Sequence, residues 1–130
     1  MREPNKIRIE RLHPHAWLWE PLESDATFVL RTMFGTKAVY LDGKLMFCFA
    51  AKKELWSGVL VATDRKHHPS LITEIPVLAP HPILSKWLYL NVSSDSFERE
   101  AGHLIRLAKR RDGRLGVVPP PKNRRSLRSL

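Results

Sequence analysis

Cysteine is almost absent from this 130-residue chain, with Cys48 standing alone. No internal disulfide can be drawn. The flanking Phe47 and Phe49 predict a buried, inert thiol of the kind kept in a reducing compartment. Long apolar runs are missing too. The longest, residues 45–51, is strand-sized and far short of the ~18 apolar residues of a membrane span. No basic start followed by an apolar stretch marks a signal peptide, and a cytoplasmic location is the expectation. Catalytic signatures are equally scarce: no serine sits in a nucleophile-elbow context, the acidic residues are scattered singly, and Cys48 falls mid-strand between aromatics. Neither an enzymatic activity nor a cofactor is expected on these grounds.

Six histidines are present, yet they lack metal-site spacing. His13 with His15, and His67-His68 with His81, are the closest groupings. Neither has the i, i+4 helical spacing or the Cys/His pairing of a zinc motif, so capping or surface hydrogen bonding is the expected role.

What the chain has in abundance is positive charge, with a formal net charge of +9. Its distribution matters more than its size. Residues 1–105 carry 13 basic against 12 acidic side chains, a net +1, whereas residues 106–130 carry 9 against 1, a net +8. The cations concerned are Arg106, Lys109, Arg110, Arg111, Arg114, Lys122, Arg124, Arg125 and Arg128. Guanidinium groups bind phosphate oxygens bidentately, so this end is the candidate contact for nucleic acid or an acidic partner. No aromatic is interleaved in it, which argues against base stacking as its mode. A solvated segment that serves solubility fits the same composition.

The chain divides on this reading into an α+β domain over 1–111 and a basic, Pro/Arg-rich tail over 112–130 that lacks the apolar content to pack. Within the domain, Ile7 and Ile9 suggest a leader or edge strand. Pro14 and Pro21 bracket at most a short helix, with one of Trp17 and Trp19 in the core and the other half-exposed. Residues 27–33 and 37–41 read as strands. Asp42-Gly43 suits a type I′ turn, and 44–50 returns as the hairpin partner. Residues 56–62 form a further strand in which Gly58 suggests a bulge. A two-turn helix from Pro69 stops at Pro76, and Pro76, Pro80 and Pro82 predict an irregular loop. Residues 87–92 resume strand character, with Leu88 and Leu90 on one face and Trp87 and Tyr89 on the other.

The final helix is marked by an apolar stripe at Phe97, Ala101, Leu104, Ile105 and Ala108. Ser94 or Asp95 is its candidate cap, Arg99, His103, Arg106 and Arg110 lie on its opposite face, and Gly113 is its expected terminator. The whole amounts to an antiparallel sheet of four to six strands packed by two or three helices. A small-molecule pocket near the Pro/His-rich loop 65–82, lined by Tyr40, Trp56, His67, His68, His81 and Trp87, is the alternative functional reading. A protein-interaction domain that forms a homodimer through a sheet edge is another.

The string Arg31-Thr32-Met33-Phe34-Gly35, followed by Tyr40-Leu41-Asp42-Gly43 and the apolar strand 45–49, resembles the N-terminal domain of TfoX-like proteins, whose pattern is Arg-x-Met-Phe-Gly-Gly leading to a Tyr-x-Asp-Gly hairpin. The likeness runs more loosely through Tyr89-Leu90 and residues 97–108, covering about half the chain. Thr36 stands where the family usually has a second glycine, and residues 65–82 look like an insertion. The resemblance implies an antiparallel sheet flanked by helices. On function it implies only a link, in some members, to regulation of competence genes. YjbR-like proteins share the general layout, without a residue string that decides for them.

Overall fold

A computed structural model of the chain describes residues 13–33 and 35–119. Ile7, Ile9, Phe34 and the tail cations Lys122, Arg124, Arg125 and Arg128 lie outside the described residues. The elements are α1 (Ala16–Trp19), β1 (Val29–Met33), β2 (Thr36–Leu41), β3 (Lys44–Ala51), β4 (Ser57–Val61), α2 (His68–Glu74), β5 (Ala79–Pro80), β6 (Leu88–Asn91) and α3 (Phe97–Lys109). One six-stranded antiparallel sheet runs in the order β1-β2-β3-β4-β6-β5, and the fold is α+β.

Strand alternation sends side chains to two faces. Val39, Phe47, Phe49, Val59, Val61, Leu88 and Leu90 meet the helices on one. There the stripe of α3 is buried along its length. Trp19, fully buried, packs its ring 5.2 Å from Phe49, while Trp17 stays half-exposed. On the second face Ala38, Leu45, Cys48, Ala50, Leu60, Ala62 and Tyr89 form a separate cluster. Cys48 is buried in it, and desolvation pushes its thiol up to about 11.

The β2–β3 hairpin turns on Asp42 and Gly43, both at positive φ. Gly58 makes no bulge. The register slips instead between Val39 and Tyr40, which pair with Phe47 and Leu45. Met46 is the extra residue; it joins Phe47 on the helix side and frees Leu45 for the second face. The proline-rich loop is also more regular than expected: Ala79 and Pro80 pair with Tyr89 and Leu88 as a two-residue edge strand, a position where a proline's missing N–H costs no ladder bond.

Two expectations about α3 are corrected. Its N-cap is Ser96 rather than Ser94 or Asp95, and no side chain caps it. Its terminator is Arg111 at φ +57°, not Gly113. The Asp112 N–H donates to the Leu107 carbonyl and the Arg111 N–H to that of Ala108, the paired bonds of a Schellman ending that ordinarily uses glycine at the left-handed position. Arginine holds that position because its guanidinium donates to Asp25 at 2.7 Å and Asp42 at 2.5 Å.

The boundary between domain and tail moves accordingly. Residues 112–119 do not hang free: Leu115 is buried in the helix-side core, the Gly116 N–H donates to the Ala62 carbonyl, and Val117 bridges Leu45 on the second face. The chain thus crosses from one face of the sheet to the other as a strap around the start of β3.

Candidate functional site

Of the nine cations singled out in the sequence, five lie among the described residues, and two of these are committed to the fold. Arg111 clamps Asp25 and Asp42, and hydrogen bonds from Thr27 and Arg111 hold the Asp25 carboxyl down at about 2. Arg114 bonds Asp112, Glu74 and Ser70, and its guanidinium holds Asp112 at about 2. Replacing either arginine would disturb the strap.

The Arg111 position yields a two-variant prediction. Arg111→Ala loses both ion pairs and leaves a methyl at positive φ, whereas Arg111→Gly loses the same pairs and relieves the backbone. Alanine should be the less stable by about 1 kcal/mol, read from urea midpoints at neutral pH. Because the Asp25 pKa lies below its ordinary value, the ion-pair contribution is full above about pH 4 and vanishes as pH falls through about 2. The deficit of Arg111→Gly against wild type should therefore disappear at acid pH, while the Ala–Gly gap persists.

Arg106, Lys109 and Arg110 are exposed and carry no salt bridge among the described residues. With Arg99 they form a stripe on the outward face of α3 about 16 Å long at 1.5 Å per residue. Arg99 is highly exposed and only loosely paired with Glu100 at 3.4 Å. His103, on the same helix, is taken up by Glu74 at 2.8 Å.

His67, His68 and His81 do not converge, whereas the His13 and His15 rings lie 5.6 Å apart, the His15 N–H donating to His13 Nδ1 at 3.1 Å. His81 is fully buried. Its Nε2–H donates to the Leu55 carbonyl at 2.8 Å, and its Nδ1 accepts from the Ile83 and Leu84 N–H groups at 3.1 Å. Its ring lies 4.6 Å from that of Trp56 and 5.0 Å from that of Tyr89. Both ring nitrogens are therefore occupied by backbone. His68 donates to the Lys86 carbonyl, and His67 closes a turn whose N–H meets the Asp64 carbonyl. No group of His, Cys, Asp and Glu among the described residues has metal-site geometry.

The expected pocket residues separate in consequence. Tyr40 and Trp87 do line a concave site, of about 740 Å³, on the second face of the sheet. Trp56, His67, His68 and His81 are not part of it. The strap at Gly116, Val117, Val118 and Pro119 closes one side, and Leu84 and Trp87 the other. Lys44 and Lys86 stand in its lining with a single carboxylate, Asp64. Sequence reasoning missed the two lysines and the strap, since nothing local marks residues 116–119 as folding back over a sheet.

No described helix is long and apolar enough to cross a membrane. Neither a family model, nor a curated protein, nor a solved structure matches this chain.

Proposed function

We propose that the chain is a non-enzymatic, cytoplasmic binding module of TfoX-N-like fold that contacts nucleic acid through its basic C-terminal end. The observation that carries this reading is the outward stripe of Arg106, Lys109 and Arg110. These cations are exposed and unbridged, whereas the neighbouring Arg111 and Arg114 are neutralised by carboxylates. These three stand on α3 and its C-cap with their charge uncompensated by a salt bridge among the described residues. Lys122, Arg124, Arg125 and Arg128, further along the sequence, add four more positive charges available to a polyanion.

The test is duplex DNA affinity of the full chain at several salt concentrations. Each phosphate contact contributes about −0.9 to the slope of log affinity against log salt. The Arg106→Gln/Lys109→Gln/Arg110→Gln variant should weaken binding uniformly across sequences and shallow the slope by about 3. Truncation after Pro119, which leaves the strap intact, should shallow it further. Absence of salt-dependent binding by the full chain, or an unchanged slope in both variants, overturns the reading.

A further inference from the structure

The concave site on the second face of the sheet lies opposite α3, and its chemistry differs from that of the helix stripe. We infer that it binds a small planar aromatic anion, with the ring against Trp87 and Tyr40 and the negative group between Lys44 and Lys86.

The site's shape comes from three segments. Leu45, brought to this face by the β3 bulge, and Met33 supply an apolar floor; the Val117 strap and the Leu84–Trp87 turn supply the walls. A volume of about 740 Å³ falls within the ordinary range of small-molecule sites, about 300–1,000 Å³. A second hollow, of about 420 Å³, shares Leu84, Lys86 and Trp87 with the first and is flanked by Arg65. The Trp87 side chain thus stands as a partition between two open spaces. Trp19 and Trp56 each pack on another ring, whereas Trp87 meets no aromatic ring among the described residues.

Unused hydrogen-bonding groups decide the charge of the ligand. The Lys44 and Lys86 ammonium groups, the Trp87 indole N–H and the Tyr40 hydroxyl have no hydrogen-bond or ion-pair partner among the described residues. Against them stands only the Asp64 carboxylate. Donors in such excess, around an apolar floor, suit a ligand that brings acceptors and negative charge. A flat ring suits the indole face, where offset stacking adds to area burial.

Indole N–H resonances in a 1H–15N correlation spectrum report on each tryptophan separately, with Trp87 assigned from a Trp87→Phe spectrum. Titration of the full chain with 2-naphthoate should shift the Trp87 resonance saturably and leave that of exposed Trp17 in place. The cationic analogue 2-naphthylmethylammonium should bind at least tenfold more weakly. Lys44→Gln/Lys86→Gln, at two exposed positions and with an unchanged melting temperature, should lose at least tenfold in naphthoate affinity. A shift that does not saturate, equal movement of Trp17 and Trp87, equal affinity for the cation, or full affinity in the lysine variant overturns the inference. DNA binding by the α3 face is measured separately, so failure here leaves the polyanion reading standing, and the reverse holds.

Discussion

Gly58→Ala is expected to remove about 3–5 kcal/mol of stability, a large share of the 5–15 kcal/mol that holds a domain together. Two independent effects add. Gly58 sits at φ +146°, a region that L side chains rarely enter and that costs about 1–3 kcal/mol. A Cβ built there would also overlap the Leu90 carbonyl oxygen and lie 3.0 Å from the Val92 nitrogen and 3.1 Å from the Leu90 carbonyl carbon. These are backbone atoms of the neighbouring strand, across the Gly58–Asn91 pairing, so no rotamer change relieves the overlap. The methyl must part β4 from β6 and break the Val92 N–H to Ser57 carbonyl bond beside it. Gly43→Ala is the control. Gly43 has φ +76° but nothing within 4 Å of its Cβ, so only the backbone cost of about 1 kcal/mol applies. Urea denaturation of the two variants reads the difference directly; equal midpoints would show that strand separation is not required.

Gly58 also marks where sequence reading stops. A glycine inside a strand signals either a bulge or a close backbone approach, and only the partner strand decides between them. The β2–β3 hairpin was legible because Asp42-Gly43 carries its own turn chemistry. The α3 stripe was legible because burial at Phe97, Ala101, Leu104, Ile105 and Ala108 follows the helical period. What escaped depended on distant partners. Arg111 ends α3 because Asp42 and Asp25, 69 and 86 positions away in sequence, hold its guanidinium. Gly113 was the better local candidate and lost to that tertiary pairing.

The same distinction applies to charge. The +8 of residues 106–130 reads as one basic segment in sequence, but the strap divides it in space. Arg106, Lys109 and Arg110 face outward from the helix layer, Arg111 and Arg114 are consumed in ion pairs, and the chain reaches Pro119 on the opposite face of the sheet, at the mouth of the aromatic site. Among the described residues, a cluster in sequence is therefore two groups with different work. Spacing alone could not have separated them, because the sorting is done by Asp25, Asp42 and Glu74 from elsewhere in the chain.

His81→Leu should cost roughly 2–4 kcal/mol, because a buried polar group left without its partner carries a desolvation penalty of about 1–3 kcal/mol and this substitution removes the partner of three backbone groups, of which the one on exposed Ile83 can turn to water. The Leu55 carbonyl and the Ile83 and Leu84 N–H groups all lose the imidazole, and the ring's contacts with Trp56 and Tyr89 go with it. The imidazole joins the segment before β4 to the turn before β6, where Leu84 and Trp87 wall the aromatic site. His81→Asn separates the two halves of this role. An asparagine side-chain oxygen can accept from the N–H groups two and three residues on, as Asx turns do, but it is too short to reach Leu55. It should restore about half of the lost stability and the turn, and with the turn the Trp87 indole resonance should return to its wild-type position. In His81→Leu that resonance should move and broaden. Wild-type stability in His81→Leu, or no recovery in His81→Asn, would show that the buried imidazole is filler and not the tie between these two segments.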